Sequence, residues 1–201
     1  MIPRFFRHAV AAAAILAAAT VLASTPGQPA PDFTITDASG KPVKLADQRG
    51  RFVVLEWTNP ECPFVQKHYD SGNMQGLQKE FTGKNVVWLS VNSTNRSHGE
   101  FKPGVEMTKW MGAHKAAPTA VLIDETSSAG RAYSARTTPH MFVIDPQGKV
   151  VYAGAIDDKR SANPADAKNA NNFVRAALNE SLAGKPVTVA QTRPYGCSVK
   201  Y

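Results

Sequence analysis

The feature that most constrains the fold is a series of five short apolar runs, separated mainly by segments with helical spacing of apolar residues. Each run carries β-branched or aromatic residues and is bounded by turn-forming residues, as buried strands usually are. The runs cover residues 51–57, 85–91, 119–124, 140–145 and 149–153. Strands that alternate with helices form parallel sheets, whereas the turn at Pro146-Gln147-Gly148 joins the last two runs as a hairpin. The sequence therefore predicts an α/β fold, with a central mixed sheet and helices on both faces.

Helical segments fill most of the gaps between these runs. They cover residues 63–81, with an interruption near Ser71-Gly72, and then 105–115, 130–135 and 165–183, the last stopping at Gly184. Two short alternating stretches within residues 32–45 predict an N-terminal β-hairpin extension. With 201 residues, 43% of them apolar, the chain has enough material for one core, so residues 32–183 are expected to form a single domain.

The N-terminus has the layout of a targeting segment. Arg4 and Arg7 precede an apolar run from Ala9 to Leu22, and a small-residue cleavage site follows at Ala23. Residues 1–23 are therefore expected to be a secretory signal peptide. The alternative is an uncleaved membrane anchor, for which the run is short against a hydrocarbon core of ~30 Å. Residues 24–31, which contain three prolines, are expected to be a disordered leader.

Export has a chemical consequence for the two cysteines. Outside the cytoplasm a pair of thiols can persist as a disulfide, either structural or catalytic. We therefore expect an exported protein, periplasmic or otherwise extracytoplasmic, without stable membrane association after signal cleavage. Cys197 lies in the C-terminal tail, residues 184–201.

The charge balance does not indicate a nucleic-acid partner. The formal net charge is +7, from 23 Lys and Arg against 16 Asp and Glu. These basic residues are scattered, with no Lys/Arg run and no basic stripe interleaved with aromatic residues of the kind that follows a phosphate backbone.

Cys62 occupies the most informative position in the chain. It follows a buried strand that ends near Trp57, and Pro63 after it suits the first position of a helix. Cys62 is therefore predicted at or beside the N-cap, where the helix dipole and unpaired N–H groups favour the thiolate. Lys67 and His68 add positive potential, while Glu61 opposes it. A reactive sulfur there must also be open to a reactant; the alternative is a buried cysteine that only packs.

Three parts of the sequence together resemble the thioredoxin-like superfamily. They are the stretch containing Trp57 and Cys62, residues 137–146 (TTPHMFVIDP), and Tyr152-Ala153-Gly154. More narrowly, they resemble the peroxiredoxin-like branch of the alkyl hydroperoxide reductase and thiol-specific antioxidant (redoxin) family. The likeness runs from about residue 31 to 182, so residues 32–183 are expected to be a thioredoxin-like (redoxin) domain. It implies that Pro139 is cis and lies near the active cysteine.

Departures from both family patterns limit what carries over. Val65 stands where a thioredoxin motif has its second cysteine, which makes a local dithiol exchange impossible. Peroxiredoxins have Thr or Ser three residues before the reacting cysteine and Pro four before that, where this chain has Asn59 and Leu55. The resemblance places Pro139 at the position of their usual arginine, for which Arg136 is the nearest substitute and Arg131 a weaker one. Peroxide reduction and thiol–disulfide exchange both stay open.

Cys197 is the only possible partner for Cys62 within the chain. In the catalytic interpretation, Cys62 attacks the substrate and Cys197 resolves the product to a disulfide that an external thiol reductant reopens. In the structural interpretation, a permanent disulfide closes a long loop and stabilises the fold by roughly 5 kcal/mol. Pairing with a second subunit and unpaired thiols are further alternatives.

No cofactor motif is present, and no close-spaced metal-ligand pair. A copper-binding module that uses Cys62 and His140 is the alternative to an enzyme. The pair Asp157-Asp158 is interpreted as a solvated loop.

We therefore expect an oxidoreductase with a peroxide or protein disulfide as substrate. Cys62 is the nucleophile, Thr58 or Asn59 donates to its thiolate, Pro139 shapes the site and Cys197 is the resolving thiol.

Overall fold

The computed structural model describes residues 24–201. These residues contain nine strands and five α-helices, and the strands that correspond to the five apolar runs follow in the predicted order. The strands are β1 (Thr34–Thr36), β2 (Pro42–Lys44), β3 (Val53–Trp57), β4 (Val87–Asn92), β5 (Ala120–Ile123), β6 (Thr137–Thr138), β7 (His140–Ile144), β8 (Val150–Gly154) and β9 (Cys197–Ser198). The helices are α1 (Pro63–Asp70), α2 (Asn73–Thr82), α3 (Gly104–Ala113), α4 (Ser128–Ala132) and α5 (Phe173–Leu182).

A five-stranded mixed sheet lies at the centre, in the order β5-β4-β3-β7-β8. The first three of these strands are parallel, and β7 and β8 run antiparallel to their neighbours. This matches the predicted combination of crossover helices and a terminal hairpin. Strand β3 is the central strand of the sheet, and all five of its residues are buried. The loop that follows its carboxyl end carries Cys62.

The two faces of the sheet bury different sets of side chains. One face packs against α1, α2, α3 and α5 and includes Cys62, Trp88 and Met141. The other packs against α4 and the β1–β2 hairpin and includes Trp57 and Phe142. Because successive strand residues point to opposite faces, Met141 and Phe142 belong to different faces. Helices therefore cover both faces, unequally.

The start of the described chain corrects one expectation. The β1–β2 hairpin forms as predicted, with Ile35 paired to Val43. Residues 24–31, however, are not without structure. Gly27 N donates to Val150 O at 2.8 Å, and Pro29 forms a bridge with Lys149. This segment therefore lies along β8. The expected signal peptide, residues 1–23, falls outside the described residues.

The predicted helices are confirmed, with one correction. Gly72 adopts a left-handed conformation (φ 75°) between α1 and α2, which explains the interruption near Ser71-Gly72. The single helix expected over 165–183 is wrong, because residues 164–169 form a 3₁₀ helix and α5 begins only at Phe173. The side chain of Asn172 accepts from Arg175 N and starts the new helix there. Across residues 24–201, no helix is both long and apolar enough to cross a membrane.

Candidate active site

Cys62 is the N-cap residue of α1, as predicted. Its carbonyl accepts hydrogen bonds from Val65 N at 2.9 Å and Gln66 N at 3.0 Å, and Pro63 is the first helical residue. The turn before it is fixed by Cys62 N, which donates to Asn59 O at 3.0 Å. The sulfur makes no capping hydrogen bond with the helix. The sulfur points instead toward the segment that precedes β7.

The sulfur meets the segment that precedes β7. Cys62 Sγ donates to the carbonyl oxygen of Thr138 at 2.9 Å. The Thr138–Pro139 peptide bond is cis, which confirms the expectation for Pro139 and its closeness to the cysteine. A carbonyl oxygen accepts from a thiol and not from a thiolate, so this contact belongs to the protonated state of Cys62.

The C-terminal tail covers the same place. Strand β9 pairs antiparallel with β6, and Cys197 lies opposite Thr138. Gly196 has a φ of 138°, and a β-carbon there would overlap the carbonyl oxygen of Thr138, so only glycine permits this close approach. As a result Cys62 is only 1% exposed. The expectation that its sulfur is open to a reactant is therefore wrong for this arrangement of the tail.

Cys62 and Cys197 are neighbours in the structure, and both are free thiols. Burial first, and then the hydrogen bond and charge of Cys62, raise the pKa of Cys197 to about 12. Cys197 is therefore a thiol at neutral pH. The tail thus brings the two cysteines of the chain together, a placement that sequence spacing did not establish.

The two expected donors to Cys62 have different surroundings. The side chain of Asn59 donates to Glu100 Oε2 at 2.9 Å and accepts from Glu61 N at 2.8 Å, so it stabilises the turn and does not donate to Cys62. Thr58 is 1% exposed, and its hydroxyl has no partner among residues 24–201. The buried hydroxyl of Thr138 is likewise unpartnered within the described chain. The hydroxyl proton of Thr58 is therefore not engaged in a hydrogen bond within the described residues, whereas the side chain of Asn59 already has partners.

A buried polar cluster lies beside the site, and we call its four members the tail cluster: Lys67, His68, Asp157 and Tyr195. Lys67 Nζ lies 3.5 Å from Asp157 Oδ2 and donates to Tyr195 Oη at 3.2 Å. The Tyr195 hydroxyl donates to Asp157 Oδ1 and lies 3.3 Å from His68 Nε2. Asp157 is only 1% exposed, so its interpretation as part of a solvated loop is wrong.

The tail cluster changes the expected electrostatics near Cys62. Burial, and then the charge of Lys67, lower the pKa of His68 to about 3, so its ring is neutral at pH 7. Lys67 is paired with Asp157, and Glu61 is paired with Lys102 at 2.9 Å. Asp157 thus compensates the positive potential expected from Lys67. The positive potential expected from His68 is absent, because its ring is neutral at pH 7. The dipole of α1 is the remaining favourable contribution.

A second buried carboxylate lies deeper in the same half of the molecule. Glu56, in the middle of β3, is fully buried and accepts from Trp88 Nε1 at 2.7 Å, Ser90 Oγ at 2.9 Å, Tyr69 Oη at 2.7 Å and Gln78 Nε2 at 3.2 Å. Burial raises the pKa of Glu56, against the lowering effect of these donors. We call these residues the core cluster. Glu56 was not among the expected site residues, although a carboxylate within an otherwise apolar strand is a signal that could have indicated buried polar partners.

Comparison with known proteins identifies the family. A family model described as AhpC/TSA matches residues 26–153. The chain belongs to the AhpC/TSA family. This agrees with the resemblance inferred from the segments around Cys62 and Pro139.

Individual relatives of this AhpC/TSA protein share its fold. The crystal structure of an uncharacterized conserved protein from Geobacillus kaustophilus has 30% identity and a TM-score of 0.78, over 89% of this chain and 93% of that one. A putative thiol:disulfide interchange protein DsbE from Chlorobium tepidum has 23% identity and a TM-score of 0.58, over 78% and 97%. The fold is therefore thioredoxin-like.

A curated relative is the thiol-disulfide oxidoreductase ResA of Bacillus subtilis, 26% identical over 132 residues. This match covers 62% of the AhpC/TSA chain and 64% of the length of ResA.

The two arginines named as substitutes for the usual peroxiredoxin arginine lie elsewhere. The guanidinium of Arg131 stacks 4.7 Å from the ring centroid of Tyr201. Arg136 is exposed and lines a cavity of about 490 Å³ together with His140 and Arg193. In residues 24–201, neither Arg131 nor Arg136 makes a hydrogen bond or ion pair with Cys62. Within the described residues, neither arginine is therefore placed to stabilise the Cys62 thiolate directly.

His140 does not join Cys62 in a copper site. It lies opposite Trp57 in the β3–β7 register, and its ring stacks 4.5 Å from Phe142 on the face away from Cys62. Its Nδ1 accepts from Arg136 N at 3.3 Å. Within residues 24–201, no group of three His, Cys, Asp or Glu side chains is arranged to hold a metal ion. The copper-binding alternative has no ligand set here.

Proposed function

We propose that this AhpC/TSA protein is a thiol-dependent oxidoreductase whose substrates are disulfides, with Cys62 as the nucleophile and Cys197 as the resolving thiol. The observation that supports it most is the position of Cys197 opposite Thr138, against the sulfur of a cysteine at a helix N-terminus. The thiol-disulfide oxidoreductase activity named for ResA, at 26% identity, gives further support.

The proposed reaction is a pair of thiol–disulfide exchanges. The Cys62 thiolate attacks one sulfur of the substrate disulfide, forms a mixed disulfide and releases the other sulfur as a thiolate. Cys197, after losing its proton, attacks Cys62 Sγ and releases the remaining substrate thiol. The product is a Cys62–Cys197 disulfide, which an external dithiol reduces. Since Val65 excludes a second cysteine on α1, the tail supplies the resolving sulfur.

The matched variants Cys62→Ser and Cys197→Ser test this assignment. We expect Cys62→Ser to abolish the dithiothreitol-dependent reduction of insulin. Cys197→Ser should retain attack and accumulate a mixed disulfide, detectable by mass spectrometry. Undiminished turnover in Cys62→Ser would reject the mechanism.

Peroxide reduction is the second candidate, and membership of the AhpC/TSA family favours it. Here Cys62 would attack the peroxide to give a sulfenic acid and water, and Cys197 would condense with it to the same disulfide, releasing a second water. The absence of an arginine contact to Cys62 within the described residues argues against high activity. One equivalent of hydrogen peroxide, followed by disulfide mapping and a measured rate, distinguishes the two substrates.

The place of action is proposed to be extracytoplasmic. The layout of residues 1–23, with Arg4 and Arg7 before an apolar run, supports export. After expression in a bacterial host, the periplasmic protein should begin at Ser24. Retention of residues 1–23 in the exported protein would contradict cleavage, and recovery of the protein only from the cytoplasm would contradict export.

A further inference from the structure

The hydroxyl of Tyr195 is held by three polar side chains from the framework of the fold. Lys67 and His68 belong to α1, and Asp157 follows β8. Lys67 Nζ donates to Tyr195 Oη at 3.2 Å, His68 Nε2 lies 3.3 Å from it, and the hydroxyl itself donates to Asp157. Tyr195 is only 5% exposed. A single tail residue therefore completes a buried, charged network.

The ring of Tyr195 adds an apolar contact close to the nucleophile. It packs edge to face against Phe64, two residues after Cys62, with ring centroids 5.9 Å apart. Cys197 follows Tyr195 by two residues along the chain. Between them, Gly196 presses against the carbonyl of Thr138, which also accepts from the Cys62 thiol. The position of Tyr195 therefore determines where Gly196 and Cys197 cover the sulfur.

The proposed function requires a contact that this arrangement prevents. A substrate disulfide must reach Cys62 Sγ, yet Cys62 is 1% exposed beneath residues 195–197. The β6–β9 ladder that holds this part of the tail is only two residues long on each strand. Of the groups within residues 195–197, only Tyr195 has a buried side chain with polar framework partners. Residues on either side stay attached, since Thr192 N donates to Ala153 O and Val199 N donates to Arg136 O. Release of Tyr195 would therefore open the cover over Cys62 locally.

We infer that Tyr195 is a positioning residue that anchors Cys197 over Cys62, and that its release from the tail cluster admits the substrate. This inference rests on the proposed roles of Cys62 and Cys197. The anchor acts on the two exchange steps in opposite directions. It slows the attack of Cys62 on a substrate, because it keeps the sulfur covered. It speeds resolution, because it holds Cys197 beside the mixed disulfide.

The reagent 5,5′-dithiobis(2-nitrobenzoate) reports the two steps separately. Attack by Cys62 releases one equivalent of the coloured thiolate and leaves the other half bonded to Cys62. Resolution by Cys197 forms the Cys62–Cys197 disulfide and releases the second equivalent. Cys197→Ser should show the first release only, and Cys62→Ser should lose the rapid first phase. Stopped-flow absorbance on the reduced protein measures both rates.

Tyr195→Phe removes the hydroxyl and keeps the ring. We expect the first phase to become at least tenfold faster and the second at least tenfold slower. Tyr133→Phe is the matched control, because Tyr133 is also buried and its hydroxyl donates to Pro31 O and not to the tail cluster. That control should change neither phase by more than twofold. A general loss of stability would not produce changes of opposite sign.

The outcomes separate the anchor from the catalytic assignment. A first phase in Tyr195→Phe within twofold of the parent protein overturns the anchor. A parent protein with no second phase overturns the resolving role of Cys197, while the first phase still tests the anchor. Should Tyr195→Phe fail to fold by circular dichroism, His68→Leu removes one partner of the hydroxyl and keeps the Lys67–Asp157 pair. It should accelerate the first phase about threefold, and an unchanged rate overturns the proposal.

Discussion

The two buried carboxylates, Glu56 and Asp157, are surrounded by polar groups in different ways. Every partner of Glu56 in the core cluster comes from a strand or helix of the framework, on β4, α1 or α2. Asp157 also lies against the framework, through Lys67 at 3.5 Å, but one of its partners is the hydroxyl of Tyr195 in the tail. The core cluster is therefore completed by strands and helices of the framework, whereas the tail cluster is completed by one residue of the C-terminal tail.

This difference separates a stabilising role from a functional one. A buried polar network is favourable only while every member is satisfied. Opening the core cluster requires separation of β3 from α1 and α2, which is close to global unfolding. Opening the tail cluster requires only the movement of Tyr195, which can exchange its partners for water. We therefore expect substitutions in the core cluster to change stability alone, and those in the tail cluster to change the reactivity of Cys62 as well.

Glu56→Ala tests the first half of the comparison and should have the largest effect on stability. It leaves the buried donors of Trp88, Ser90 and Gln78 without their acceptor, so the free energy of unfolding should fall by about 4 kcal/mol. Urea denaturation followed by circular dichroism measures this. In the folded variant, the rate of Cys62 with the disulfide reagent should stay within twofold of the parent. A tenfold acceleration would show that the core cluster also controls the tail.

Asp157→Ala tests the second half, with a smaller cost in stability. It leaves Lys67 buried without its counter-charge, so unfolding should become easier by about 3 kcal/mol. The carbonyl of Lys159, which accepts from Lys67 Nζ at 2.5 Å, limits the loss. Unlike Glu56→Ala, this variant should accelerate the first phase of Cys62 at least tenfold, because Tyr195 loses its acceptor. An unchanged first phase would mean that Asp157 is structural in the same sense as Glu56.

Local signals in the sequence predict one part of the site. The strand end at Trp57, Pro63 at the first helical position and the Thr138-Pro139 pair place Cys62 correctly in the fold. These signals are short-range and have direct physical causes, such as the missing N–H of proline. For the same reason the interruption at Gly72 was predictable from the chain itself.

The rest depends on contacts between distant residues. Tyr195 lies 128 residues from Lys67 along the chain, and 38 residues from Asp157. No pattern near Asp157 distinguishes a buried carboxylate from a solvated turn, so its burial could not be predicted. The cover over Cys62 has the same origin, because only the folded sheet brings Gly196 against Thr138. The late start of α5 reflects a cap at Asn172 that competes with an otherwise continuous helical pattern.

The two buried histidines allow the comparison to be tested by pH. Burial first, and then the charge of Lys67 on His68 and of Arg136 on His140, lower the pKa of each to about 3. Between pH 6.5 and about 3 the unfolded chain binds protons that the native state does not, so this part of the stability is present above pH 6.5 and is lost as the pH falls. Each histidine should cost about 1 kcal/mol between pH 7 and pH 5.5.

His68→Leu and His140→Leu should each remove that pH dependence by a similar amount, measured by urea denaturation at both pH values. Only His68→Leu should also accelerate the first phase of Cys62, because His68 contacts the Tyr195 hydroxyl, whereas His140 lines a cavity with Arg193 and makes no hydrogen bond with the tail cluster. Equal reactivity in the two variants would show that the contact of His68 with Tyr195 does not control access to Cys62.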